Sequence, residues 1–355
     1  MDVRWCALGA GFFLAAACSC GGGGKGPAGE LSIASWNVQA LFDESDDGGE
    51  YAEYRSGAGW SDEKYAARLY GIGAAIGAMG GGGPDVAALL ELENRGVAED
   101  LAGAAGYGYC FFAGNGSGAL GVGALSRLPF VRARAHSIAV DGAVIPRPVL
   151  ELALETEGDA VTFFVCHWKS KSGGAARSEV LRREAARVIL RRLSELRAED
   201  PAARVVVLGD LNESFDEFFL QGGGVVCALM PDDAGAARAA AGAGAGDFLI
   251  VSGQKPPCSV FFAGRPGVFY SPWYGELKNG SFYYKGGWET LDHVLLDENC
   301  FGDEGWRFKD CVVLDGAPFT NARGEPDRYN PRTGSGLSDH LPLLLTLTRA
   351  PPVKR

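Results

Sequence analysis

The sequence has no long basic run, no Cys-x-x-Cys pair and no apolar run of membrane-spanning length, and it holds only four histidines. Each absence narrows the possibilities. There are 33 Lys+Arg against 44 Asp+Glu, a formal net charge of −11. Without a basic stripe the chain has no means of tracking a polyanion by charge, so any nucleic-acid contact must be local. A divalent cation can supply the positive charge missing at a scissile phosphate. The lack of paired cysteines at ligand spacing argues against a structural zinc site. Apolar residues make up 47% and charged residues 22%, the composition of a globular body and not of a disordered one.

Behind Arg4, the run from Trp5 to Ala17 is too short to span a bilayer as a mature helix and reads as the core of a signal peptide, residues 1–17. Leu14-Ala15-Ala16-Ala17-Cys18 resembles a bacterial lipoprotein processing site, which implies that Cys18 becomes the acylated N-terminus; Cys20 competes with it. Residues 18–29, with Gly21–Gly24, then read as a tether. A plain cleaved signal peptide and a buried apolar helix are the alternatives. The expected location is a bacterial cell envelope, lipid-anchored or secreted. Seven cysteines from Cys20 onward remain, and their spacing assigns no pairs.

Along the body, Leu31–Trp36 alternates as a strand ending at Asn37. Ser61 can cap a helix whose apolar positions are Tyr65, Leu69, Ile72, Ile76 and Met79. Asp85–Leu90, Gly121–Ser126, Leu150–Leu154, Val161–Cys166, Val205–Leu208, Leu291–Leu296 and Leu341–Leu347 read as further strands, and Ser178–Leu196 as a second helix. Helices interleave with strands and no linker divides them, so the expectation is one α/β domain over residues 30–350.

The informative feature is where polar residues fall. Asn37, Glu91, His167, Asp210 with Asn212, and Asp339 with His340 all stand at ends of expected strands. Strand ends are where a packed sheet presents side chains to a cleft. Each has a bland reading taken singly: Asp-Leu-Asn as a turn, Glu91 as a solvated strand end, His167 as packing. Their joint order along the chain is what carries the functional reading.

That order resembles the endonuclease/exonuclease/phosphatase superfamily, of deoxyribonuclease I type. The matching pieces are Ser35-Trp36-Asn37-Val38, Leu90-Glu91, Gly121–Arg127, Cys166-His167-Trp168-Lys169, Gly209-Asp210-Leu211-Asn212, Asp292-His293 and Ser338-Asp339-His340-Leu341-Pro342. The resemblance implies a four-layered α/β/β/α sandwich and a metal-dependent phosphodiester hydrolase. It implies Glu91 as principal metal ligand, helped by Asn37 and Asp339, with Mg²⁺ (or Mn²⁺) as the ion. Asp210 and Asn212 would orient the attacking water and hold a phosphate oxygen. His340 would be the base, fixed by Asp292, and His167 would donate to the phosphate or leaving oxygen. Glu93 is a rival to Glu91. Where relatives have Asn before the middle histidine, this chain has Cys166, which reads as a buried thiol.

The substrate is less legible. Lys169 and its neighbours to Ser172 could bind a second phosphate or form a solvated loop. The aromatics between Phe269 and Trp288 could stack bases, meet lipid headgroups, or line the inner faces of a hairpin. Arg182 reads as a surface or salt-bridge residue. A nuclease is the first expectation, with nucleic acid as partner and a monomeric chain. A sphingomyelinase or inositol-phosphate phosphatase, acting on phospholipid or inositol phosphate, is the runner-up. The reading from another class is a non-catalytic envelope binding lipoprotein.

Overall fold

The computed structural model describes residues 29–349 except 115, 117, 157, 234–246 and 259–266. The expected leader, Cys18 and residues 18–28 of the tether lie outside the described residues.

Two β-sheets stack face to face. The six-stranded sheet runs Trp306–Val313, Leu343–Arg349, Glu30–Leu41, Val86–Leu92, Gly121–Ser126, Tyr109–Ala113. The eight-stranded sheet runs Leu229–Pro231, Leu249–Ser252, Val268–Tyr270, Asp292–Leu296, Arg204–Asp210, Asp159–His167, Val149–Thr156, Phe130–His136. Leu31, Ile33, Val86 and Leu345 of the first sheet meet Leu152, Phe163, Val206 and Leu296 of the second in one buried core. On the outer faces, Trp36, Ala87 and Leu89 pack under helices α1 (Asp62–Ala78) and α2 (Arg95–Ala105), and Phe164, Val205 and Val207 under α3 (Ala175–Glu199). This is the expected four-layered sandwich, in one domain. Covering both faces of each sheet explains why the central strands read as continuous apolar runs and not as alternation. Each such Val, Leu or Phe contributes roughly 1.5–3 kcal/mol over leaving it exposed.

Most expected elements form, with three instructive differences. The first strand does not stop at Trp36 but continues to Leu41 through Gln39 and Ala40, at φ 54° and 53°, and its register with Val86–Leu92 slips between Asn37 and Leu41. Helix α2, not anticipated, is capped by the Asn94 side chain, which accepts the Val97 N–H at 3.0 Å, and stopped by Gly106 at φ 74°. Of the aromatic segment, Phe269, Tyr270 and Trp273 are buried, whereas Phe282–Tyr284 and Gly287–Glu289 pair as a hairpin leaving Tyr284 exposed. The Ser61 cap is present, its hydroxyl accepting from the Lys64 N–H. No helix among the described residues is long and apolar enough to cross a membrane.

Candidate active site

Strand register does most of the assembly. In the eight-stranded sheet Asp210 lies directly beside His167 on its parallel neighbour and beside Asp292 on its antiparallel neighbour. The tight fit behind this trio requires Gly209: its φ is 129°, and a Cβ there would stand 1.9 Å from the Cys166 carbonyl oxygen. The other sheet contributes Asn37 and Glu91. Glu91 sits at a bulge between Leu90 and Leu92, at φ 69°. A bulge re-aims one side chain at the cost of local backbone strain. The loop before the last strand brings His340, its turn held by Ser338, whose hydroxyl donates to the Asn37 carbonyl at 2.6 Å and accepts the His340 N–H at 3.1 Å.

Asp210 Oδ2 is the hub. The Asn37 amide nitrogen donates to it at 3.1 Å and to Glu91 Oε1 at 3.2 Å. His167 Nε2 lies 3.5 Å and His340 Nε2 3.9 Å from the same oxygen. Glu91 Oε2 accepts the Ala40 N–H at 2.8 Å. Burial, then the nearby Asp292 and Glu91 carboxylates, push Asp210 up to about 7, against the pull of His340 and the Asn212 N–H. His340 is the opposite case. Burial alone would lower its pKa, but Asp292 at 2.7 Å from Nδ1, then Asp210 and Asp339, lift it to about 10. His167 falls well below its ordinary value through burial first, then Arg147, His340 and Lys169.

Arg147 is the residue that sequence reasoning missed. Its Nη1 stands 2.8 Å from His167 Nε2 and donates to the Trp168 carbonyl at 3.0 Å. A guanidinium has no acceptor, so Nε2 must offer its lone pair and the ring proton sits on Nδ1, which has no hydrogen-bond partner among the described residues. The signal was an arginine flanked by Pro146 and Pro148 ahead of an apolar strand. Arg68, also missed, is buried on α1 against the Tyr329 ring at 3.7 Å and donates to the Leu337, Val38 and Gln39 carbonyls. It thereby ties the Asn37 and His340 loops together.

The remaining expected residues divide. The Asn212 backbone N–H donates to Asp210 Oδ1 at 2.9 Å, while its side-chain nitrogen donates to the Trp168 carbonyl at 3.1 Å, so it braces two loops. Asn37 presents its nitrogen, not its oxygen, to the carboxylates; its Oδ1 accepts the Gln39 N–H. Asp339 faces Arg328 at 3.5 Å, and its charge reaches both His340 and Arg68. The Lys169 ammonium is bound within its own loop by Ser170 and Ser172. Glu93 stands apart from the hub, accepting the Asp43 N–H. His293 is structural, its Nε2 meeting the Glu213 carbonyl and burial lowering its pKa to about 4. Arg182 is wholly buried, donating to Ser178, Glu179 and the Lys169 carbonyl, which corrects the surface reading and keeps the salt-bridge one. Cys166 is a buried thiol whose pKa burial raises, unsuited to nucleophilic attack.

The family profile described as Endonuclease/Exonuclease/phosphatase family matches residues 32–223, and the chain belongs to that family. Its fold neighbours include D. rerio TDP2 complexed with single strand DNA product, at 17% identity and TM-score 0.53, covering 90% of this chain and 99% of that one. An endonuclease/exonuclease/phosphatase family protein from Bacteroides thetaiotaomicron matches at 15% identity and TM-score 0.51, covering 90% and 98%. The human Nocturnin catalytic domain with bound sulfate anion matches at 14% and 0.50, covering 90% and 94%. These likenesses carry the fold. No curated protein matches the sequence. At family level the chain is a hydrolase of the phosphodiesterase and nuclease type.

Proposed function

We propose that the chain hydrolyses phosphodiesters with the help of a divalent cation, Mg²⁺ in the first instance, and that Asp210, Glu91, His167, Arg147 and the Asp292–His340 pair form its single reaction centre. The observation that carries this is the convergence on Asp210 Oδ2 of groups from both sheets.

The residues fit a hard cation. Glu91 and Asp210 present carboxylate oxygens around one amide; burial first, and then the neighbouring Asp292 and Glu91 carboxylates, disfavour the Asp210 anion, a cost that a bound cation would offset. Glu91 would be the principal ligand, with Asp210 across the Asn37 amide and Asp339 adding field; Asn37 serves as ligand only with its amide reversed. A cation held there would supply charge neutralisation at the phosphate and would offset the carboxylate charge that keeps the proton on His340. His340 Nε2 then takes the proton of the attacking water, with Asp292 fixing the tautomer through Nδ1. At the other edge, Arg147 is the permanent donor and is assigned the phosphate oxygen. His167, whose Nε2 faces the Arg147 donor, orients Arg147 in this proposal, beside the role its sequence position implies, donating to the phosphate or protonating the leaving oxygen.

Nucleic acid is the first ester to test, because a fold neighbour holds a single strand DNA product. Cys18 is proposed as a lipid anchor placing this centre at the envelope, which metabolic labelling with a fatty acid tests. Purified protein without the leader is assayed on plasmid DNA, RNA, sphingomyelin, an inositol phosphate and a chromogenic diester, with Mg²⁺ and with chelator. Hydrolysis that chelator abolishes supports the proposal; no hydrolysis of any of them favours a binding lipoprotein.

A further inference from the structure

A cavity of about 310 Å³ is lined at one end by His167, Arg147 and Lys169. The rest of its wall is unlike a phosphate site. Leu120 precedes the Gly121–Ser126 strand, Ile138 and Ile145 flank the small hairpin of Ala139–Val140 and Ala143–Val144, and Leu181 and Ala185 come from α3. The Ile145 N–H donates to the Ile138 carbonyl at 2.9 Å, closing the hairpin so that both isoleucines stand on the cavity. A largely apolar cavity with convergent polar groups at one end is the usual form of a small-molecule site. Its polar end carries Arg147 and Lys169, and the buried Nδ1 of His167 has no hydrogen-bond partner among the described residues.

We propose that this cavity takes the hydrocarbon part of an organophosphate whose phosphate is held at Arg147. The favoured substrates are then phosphodiesters carrying an alkyl or aryl substituent, not those linking two nucleosides. This rests on the phosphoryl centre proposed above. Beyond its cationic end the wall offers a nucleobase only the polar groups of Tyr51 and Trp168, so against Leu120, Ile138, Ile145 and Leu181 most of the base's ring nitrogens and exocyclic groups would stay unpaired, a penalty a hydrocarbon does not meet. The formal net charge of −11 also disfavours a polyanion.

Calorimetric titration of the full chain in Mg²⁺ with methylphosphonate, hexylphosphonate and thymidine 5′-monophosphate tests this without requiring turnover. Hexylphosphonate is expected to bind at least about tenfold more tightly than methylphosphonate, because each buried methylene adds to affinity. It is also expected to bind more tightly than the nucleotide. Leu181→Trp, which fills the cavity, brings the hexyl-to-methyl ratio close to one, and Ile145→Trp does so from the opposite wall if the first variant does not fold. A ratio near one in the wild type, a ratio unchanged in a folded variant, or tightest binding of the nucleotide overturns the proposal. If the hexyl preference holds while no diester is hydrolysed, the hydrolase reading fails and the cavity stands. Hydrolysis without that preference leaves the reaction centre and removes the cavity.

Discussion

Replacing Asp292 by asparagine keeps the shape of the site and removes one charge. Asp292 is fully buried, accepts from His340 Nδ1 at 2.7 Å, and does most to lift His340 against burial to about 10 from an ordinary 6.5. A displacement of that size corresponds to on the order of 5 kcal/mol favouring the imidazolium. In the variant His340 should titrate near or below 6.5, because burial remains and its main partner has lost its charge. The raised pKa stabilises the fold fully below pH 6.5, and that contribution disappears as pH climbs through about 10. Asp292→Asn should therefore lower stability at neutral pH and flatten its alkaline decline. In catalysis the asparagine can hold the wrong imidazole tautomer, so kcat should drop on the order of 10³–10⁴-fold, as when an orienting carboxylate is removed elsewhere. Two assays check this: an NMR titration of the His340 ring in chelator, and the pH dependence of kcat with Mg²⁺. An unshifted ring titration, or a kcat close to wild type, would refute the reasoning.

Gly209→Ala should unfold the protein or cost more than about 3 kcal/mol, read by thermal denaturation, since its Cβ would meet the Cys166 carbonyl at 1.9 Å. Cys166→Ala should keep kcat within about twofold; a large loss would make the thiol chemical after all. Glu151 accepts from Arg192 at 2.8 and 3.1 Å and meets His136 at 2.7 Å. Glu151→Gln should cost about 1–3 kcal/mol, because Arg192 loses its buried partner while keeping Glu195 at 3.0 Å and Glu199 at 3.3 Å. Burial works against the lowered pKa of Glu151, but His136 and Arg192 hold it at about 2, so the wild type should lose this stability as pH falls from 4.5 towards 2 and the variant should not. Arg147→Lys should lower kcat/KM by at least about tenfold, because an ammonium lacks the planar fork; near-normal kinetics would remove Arg147 from the centre.

The strand ends were legible because each joins an apolar run to one polar residue, and a packed sheet leaves that residue nowhere to go but the cleft. Asp210, His167 and Asp292 are neighbours by register alone. The glycine in Gly209-Asp210 is legible for the same reason: only it fits there. Arg147 was not legible, because a basic residue between two prolines looks like a solvated turn until the Trp168 loop folds over it. Arg68 stands three residues after Tyr65 and four before Ile72, on the apolar face of its helix, where a charge reads only as an interruption until the tertiary fold brings three carbonyls to it. Helix α2 is short, eleven residues, and its two glycines, Gly96 and Gly103, lower its helix propensity. The edge strand Trp306–Val313 alternates incompletely, since much of it faces water.

The central claim is that the two sheets build one centre, and a double-mutant cycle with Glu91→Gln and His340→Ala on diester hydrolysis in Mg²⁺ addresses it directly. Groups acting on the same transition state give grossly non-additive losses. Each single variant should lose nearly all of kcat/KM, and the double variant little more than the worse of the two. Losses that multiply, or a single variant as active as wild type, would show that the carboxylate and the imidazole do not share a reaction.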